Sequence, residues 1–450
     1  MIFTRNELLK QDAHVLVDII LDLKEQLNWQ QKNSQNSSKP PSSDTKTNVK
    51  RNQSLRKKTG LKPGGQKGHQ GLYRELSKVP DEIHECIPDP LCEQCGSTLN
   101  FDSSCLIEKR QEFDIPKIKP KVTEYQKRGV LCYCGHVNKG SFPKHVKATV
   151  QIGTQMKAFL TYLNVRQLIP YNRLAELSRD LFNFPICKRS IENYLEEAAT
   201  LAYPHISKII SIIKSCKWVG SDETGQRVEG KRCWEWVWQN NEASYYAVSQ
   251  SRGYQVVQEH FGEDYRGSLV HDCWSAHNNT IAKSGHQQCH PHIQRDLQFL
   301  ILSYNSAWAY HFNTFLSASQ KARDIIWADG FPPDLRDDII QSTHLKLLKF
   351  CVKDSENKEI LKLQKRIIKH QDSILHFMKD PDIPFHNNSS EQAIRMAKVK
   401  QKISGGFRSK RGAERQSILL SVIETAKKQN MNTLETIKKL FSQSLTFRYI

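Results

Sequence analysis

The sequence predicts a mixed α+β, multidomain chain with one sheet-bearing core flanked by helical and cysteine-bearing segments. Three observations carry that expectation. Apolar residues recur at helical spacing on both sides of 216–304 and at a period of two within it. Residues 33–60 almost lack apolar side chains, which separates the N-terminus from the rest. Two close cysteine pairs mark a further small module between these regions. With 450 residues, the chain has room for several domains and at least one large core.

Residues 1–32 read as a coiled-coil helix. Leu9, Ala13, Leu16, Ile20, Leu23 and Leu27 alternate in steps of four and three. The seam can pair with a second copy, giving a homo-oligomer, or pack on its own chain, and both readings stay open. Residues 33–78 read as a disordered basic linker. From Lys46 to Arg74 there are nine Lys or Arg and no acid. Lys57, Lys58, Lys62 and Lys67 are candidates for contact with DNA phosphates.

Residues 79–147 read as a zinc-binding module. Cys92 and Cys95 form a C-x2-C knuckle followed by Gly96, and Cys132 and Cys134 follow after thirty-six intervening residues, one residue short of the usual spacing. In an extended strand residues two apart share a side, so the second pair can still reach one Zn2+. His136, Cys105 and Cys86 are alternatives for the fourth ligand. Residues 148–215 are expected to be a helical, helix-turn-helix-like DNA-binding region. Within it "NRLAELSRDLF" carries Leu174, Leu177, Leu181 and Phe182, and "IENYLEEAA" follows with Ser190 as its N-cap.

At 216–304, "KWVGSDETGQRV", "RCWEWVWQN" and "ASYYAVSQS" read as three strands joined by tight turns. A helix, "GYQVVQEHFG", and a buried strand, "GSLVHDCW", come next. Three antiparallel strands, a helix and a strand parallel to the first make the ribonuclease-H-like order. That α/β topology sets the first and fourth strands side by side, and with them Asp222 and Asp272. Residues 305–381 form a Lys-rich helical insertion, 382–412 the last core helix and a basic loop, and 413–450 the C-terminal helices.

Two adjacent carboxylates repel unless a cation lies between them. Oxygen ligands suit a hard divalent ion, Mg2+ or Mn2+, and a third acid would complete a two-metal site for phosphoryl transfer. Glu391 in "NNSSEQAIRMAKVKQKISGG" is the candidate. Arg395, Lys398 and Lys402 share its helix face, and Arg408 follows, all suited to DNA phosphates. The competing reading makes Asn388 an N-cap and Glu391 the partner acid of a capping box.

Charge agrees with a nucleic-acid partner. Lys and Arg number 66 against 47 Asp and Glu, a net +19, which favours a polyanion over a membrane. No secretory or membrane segment is visible, since "VLVDIILDL" is interrupted by Asp18 and Asp22. Twelve cysteines then suggest a reducing cytosol and metal ligation in place of disulfides.

Together "SDETGQRVEGKRCWEWV", "LVHDCWSAH", "CHPHIQRDLQFL" and "NNSSEQAIRMAKVKQKISGGFRSKRGAE" resemble the insertion-sequence-66 transposase family. Upstream, "NSSKPPSSD", "KPGGQKGHQG" and "CEQCG" match the same family in the same order. The resemblance covers essentially the whole chain and departs at "CYCG", where the family has a two-residue spacer. It implies a DDE-type transposase that cuts transposon ends and joins them to target DNA. It implies Asp222, Asp272 and Glu391 as metal ligands, accessory proteins from the same element, and a bacterial, cytoplasmic, nucleoid-associated location. Cys289 and His292 resemble the family's C-x2-H element, and a structural and a metal role both stay open for them. The alternatives are a catalytically silent zinc-containing DNA-binding protein, such as a repressor or domesticated relative, and a structure-specific nuclease.

Overall fold

The computed structural model describes Gly64, Gln66, residues 68–71, 74–351, Ser355 and 357–448. The expected coiled coil, Lys57, Lys58, Lys62 and Lys67 lie outside the described residues. Those described fall into two compact units, one ending at Val122 and the other beginning at Thr123.

In the first unit no side chain with described burial is buried. Its Cys92–Cys95 stretch is a tight turn. The Gly96 N–H donates to Cys92 O at 2.8 Å, the Cys92 N–H donates to Ser97 O at 2.8 Å, and Leu91 bridges Thr98. Gly96 takes φ 74°, a left-handed conformation that glycine reaches without strain.

The second unit opens with the hairpin β1 (Gly129–Leu131) and β2 (Val137–Lys139). Cys132 and Cys134 lie in its connecting turn, not in a strand as expected. The Gly135 N–H closes that turn onto Cys132 O at 2.9 Å. Four helices follow: α1 (Thr154–Val165), α2 (Tyr171–Phe182), α3 (Lys188–Ala202) and α4 (Pro204–Ser215). The N-cap of α3 is Cys187 and not Ser190, because the chain turns helical three residues sooner. Ser190 lies inside the first turn, its Oγ 3.2 Å from Cys187 Sγ.

The sheet comprises β3 (Trp218–Val228), β4 (Lys231–Gln239), β5 (Ser244–Ser249), β6 (Ser268–His271) and β7 (Gly285–Gln288). Its order is β5-β4-β3-β6-β7, with β3–β4 and β4–β5 antiparallel and β3–β6 and β6–β7 parallel. Glu229 and Gly230, both at positive φ, make the two-residue turn between β3 and β4. Asn240 Oδ1 accepts the Glu242 and Ala243 N–H groups at 2.9 Å and so folds the next turn. Helix α5 (Tyr254–His260) and the short α6 (Ser275–Asn278) flank β6.

Strand alternation divides the apolar side chains between two cores, one on each face of the sheet. Val219 and Leu269 enter a core shared with α1, α3, α4 and the last two helices, α13 (Lys410–Lys428) and α14 (Thr433–Phe441). Their neighbours Trp218 and Val270 enter a second core with α7 (His290–Tyr304) and the insertion helices α8 (Ala307–Ile326), α9 (Pro333–Cys351), α10 (Lys358–Lys369) and α11 (Gln371–Leu375). Helices α2 and α3 are the pair that the sequence read as helix-turn-helix-like. Helix α3 buries Ile191, Leu195 and Ala198 in the first core, and Glu196 on it pairs with Arg411 at 2.8 Å and Arg415 at 3.3 Å.

Edge strand β5 is not left bare. Its Tyr246 and Ser244 N–H groups donate to Ser421 Oγ at 2.9 Å and Thr425 Oγ1 at 3.1 Å on α13, which removes outward donors from the edge. Helix α12 (Asn388–Ser404) lies against β3 and β4. Among the described residues no helix is long and apolar enough to cross a membrane.

Candidate metal-dependent active site

Three elements deliver three carboxylates to one place. Asp222 sits midway along β3, Asp272 directly follows β6, and Glu391 lies in the first turn of α12. Because β3 and β6 pair in parallel, Val270 faces Gly220, and the two aspartates lie two residues further along adjacent strands. Asp222 Oδ1 accepts the Glu223 N–H at 2.9 Å, and Asp272 Oδ1 accepts the Trp274 N–H at 3.0 Å. The Asp222 carboxyl is held well above its ordinary range, first by burial and then by the charges of Glu223, Asp272 and Glu391. The other two acids of the sequence reading therefore both act on Asp222, across sequence separations of 50 and 169 residues.

Glu391 does not cap its helix. The N-cap is Asn387 with no side-chain cap bond, which puts Glu391 at the fourth helical position, one past the capping-box site. Its Oε1 is shielded from solvent and has no hydrogen-bond partner. A buried orphan carboxylate oxygen carries a desolvation cost that a ligand to it would offset.

Three residues missed in the sequence hold that helix in place. Asn387 Nδ2 donates to Ser221 O at 2.7 Å, the carbonyl just before Asp222. Gln239 Nε2 on β4 donates to Ser389 Oγ at 2.7 Å and Ser390 Oγ at 3.0 Å. Gly220 permits the close approach, since a Cβ there would lie 2.4 Å from Ser390 Oγ and 2.9 Å from Asn387 Oδ1. The available signal was Gly220 within the strand pattern, since a glycine inside a strand marks close backbone approach.

Glu223, beside Asp222, is kept from joining the set. It is nearly inaccessible, and its oxygens take Arg252 Nε at 2.6 Å and His277 Nε2 at 2.8 Å. Burial pushes its carboxyl up, but His277 and Arg252 outweigh that and hold it below the ordinary range. Arg252 stacks on Trp274, its guanidinium carbon 3.6 Å from the ring centroid, which ties this group to the segment after Asp272.

Cys289 caps α7 and His292 lies in its first turn, where Pro291 also sits. The structure brings both to Glu391, with the ligand atoms of the three residues within 4.8 Å of one another. The expected cations are present on or after α12. Arg395, Lys398, Lys402 and Arg408 are all exposed. Lys398 Nζ donates to Gly225 O at 2.9 Å, and Arg232 and Lys402 lie near enough to add to the burial that lowers its pKa. The loop after α12 is pinned to the β3–β4 turn: Phe407 N–H donates to Arg227 O and Glu229 N–H to Phe407 O, both at 2.8 Å.

The sequence of residues 149–415 matches the family model described as Transposase IS66 family, and residues 4–75 match a family of unknown function, DUF6444. An uncharacterized protein, y4jO, of Sinorhizobium fredii is 37% identical over 71 residues, which is 16% of this chain and 22% of that protein. The chain thus aligns with less than a quarter of that relative's length. A solved structure titled the Mos1 Strand Transfer Complex aligns over 51% of this chain and 80% of its own, at 15% identity and a TM-score of 0.13.

Proposed function

We propose, from the premise that the chain belongs to the IS66 family of transposases, that it cleaves transposon ends and transfers the strands to target DNA in a metal-dependent, DDE-type reaction. The observation that carries this reading is that Asp272 and Glu391 both lie near enough to Asp222 for their charges to raise its carboxyl, while Glu391 Oε1 is buried without a hydrogen-bond partner. The sheet order, an antiparallel meander continued by two parallel strands, supports a ribonuclease-H-like core.

Asp222, Asp272 and Glu391 would hold Mg2+ or Mn2+, which supplies activation of the attacking oxygen and offsets charge on the leaving oxygen. The chain's own residues do the positioning. Asn387, Gln239 and Gly220 set the distance of α12 from β3, and with it the reach of Glu391. Arg252 and His277 absorb the charge of Glu223 so that it does not compete for the cation. Arg395, Lys398, Lys402 and Arg408 offer the backbone of double-stranded DNA a line of exposed charge. Homo-oligomerisation through 1–32 and accessory proteins of the same element complete the reading.

The test is cleavage of labelled element-end DNA by purified protein with Mg2+ or Mn2+. Glu391→Gln keeps the side-chain length but offers a neutral amide, so cleavage should fall by several orders of magnitude while DNA binding survives. Normal cleavage by Glu391→Gln would overturn the assignment and favour the silent DNA-binding alternative or another third acid.

A further inference from the structure

Beside the three carboxylates lies a donor set of different chemistry. Cys289 offers a sulfur, His292 an imidazole nitrogen and Glu391 a carboxylate oxygen, all within 4.8 Å of one another. His292 Nδ1 and Glu391 Oε1 stand 3.8 Å apart, both shielded from solvent and neither with a hydrogen-bond partner. That distance is too long for a hydrogen bond. It is close to the separation of about 3.3–3.8 Å that tetrahedral coordination imposes on ligands bonded at about 2.0–2.3 Å.

The donor atoms themselves suit a cation. His292 Nδ1 is shielded and has no hydrogen-bond partner, so this ring nitrogen is free to act as a ligand. The Cys289 thiol is buried and accepts the Asn387 N–H at 3.2 Å. A buried thiol of this kind becomes a thiolate when a metal replaces its proton. Two orphaned polar atoms facing across such a gap need an atom between them, because each otherwise carries an uncompensated desolvation cost.

We propose that Cys289, His292 and Glu391 form a site for a thiophilic divalent ion such as Zn2+, sharing Glu391 with the all-oxygen carboxylate pocket. The two neighbouring sites differ in softness, S/N/O against O3, so they select different ions. An ion in the softer site draws on Glu391 and weakens the hold of the pocket on Mg2+ or Mn2+. The proposal rests on the transposase reading only in giving Glu391 this second partner.

The experiment is Co2+ titration of the zinc-stripped full-length chain, without DNA, read by the thiolate-to-cobalt charge-transfer band. Cysteines elsewhere contribute equally to wild type and to Cys289→Ser, so the difference reports this site. Cys289→Ser should lose one equivalent of bound Co2+ and the matching absorbance, and His292→Gln should weaken that equivalent by about tenfold or more. Saturating Zn2+ should weaken Mn2+ binding by wild type, followed by electron paramagnetic resonance, but not by Cys289→Ser. Identical cobalt stoichiometry and spectra in wild type and Cys289→Ser would overturn the proposal. If Cys289→Ser fails to fold, zinc-edge anomalous diffraction from wild-type crystals decides: a peak among Sγ, Nδ1 and Oε1 supports the site and its absence at saturating zinc refutes it. Asp222→Asn must keep the Cys289-dependent cobalt band, so loss of the carboxylate pocket and loss of this site remain distinguishable.

Discussion

Asp222 carries a charge that the fold makes costly. Burial and three neighbouring acids raise its pKa, so without metal the ionised form opposes folding. Asp222→Asn should therefore raise the thermal midpoint in EDTA at pH 8 while abolishing cleavage; an unchanged or lower midpoint would show that the acids do not crowd one another. Glu235 gives the pH counterpart away from the site. It is fully buried on β4, accepts Ser417 Oγ at 2.6 Å and Gln226 Nε2 at 2.9 Å, and is raised from 4.5 to about 7 by burial. The folded value lies above the unfolded one, so its contribution is fully present below about 4.5 and is lost as pH rises through about 7. The loss is on the order of 3 kcal/mol. Glu235→Gln should remove that decline, and urea midpoints of both proteins at pH 5 and pH 8 measure it. A wild-type-like pH slope in the variant would assign the titration elsewhere.

Helix α12 and strand β3 behave as one device, because Gly220 sets how closely they approach. A methyl at Gly220 meets Ser390 Oγ, Asn387 Oδ1 and Gln239 Nε2, all under 3.0 Å, so the helix must shift or its three anchors must break. Gly220→Ala should cost about 1–3 kcal/mol and depress the cleavage rate far more than DNA affinity, since a misplacement of about 1 Å can cost 10²-fold. Rates measured at saturating DNA separate the two effects, and a wild-type rate in a folded Gly220→Ala protein would remove the glycine from the positioning role. The same packing explains why the capping-box expectation failed. Asn387 spends its amide on Ser221 O and serves as N-cap, so the helix starts one residue early and Glu391 falls one place past the capping-box site.

Across the whole molecule the net charge of +19 is a statement about a partner, not about the fold. Lys402 is exposed near the end of α12, so its loss should leave the core and the carboxylates intact. Lys402→Ala should weaken DNA binding equally for all sequences and flatten the dependence of log K on log salt by about one unit. An unchanged salt slope would take Lys402 off the DNA path. The four insertion helices bring their own core to the face of the sheet that carries Trp218 and Val270. A segment read as Lys-rich and helical thus becomes a second layer, held in part by Arg366 on Asp296 at 2.6 Å.

Periodicity made the first four strands of the sheet and their turns legible, because side-chain spacing reports which residues face a core, but it missed β7, whose four residues are too few to show a period. It also placed Asp222 inside the first sheet strand and Asp272 at the end of the fourth, so two of the three acids were legible as soon as the strand order was guessed. Glu391 was legible as an acid at a helix start, where a third metal ligand and a capping box competed for it. The start of α12 at Asn388 puts Glu391 one place past the capping-box site, which removes the second of these readings. Cys289 and His292 were legible as a pair and not as neighbours of Glu391, because those residues are about a hundred positions apart and meet only when β7 and α12 close on the same end of the sheet. Asn387 and Gln239 were invisible for the same reason, and Gly220 showed only as a glycine within a strand: what they do is set a distance between elements, and a distance between elements exists only once the chain is folded.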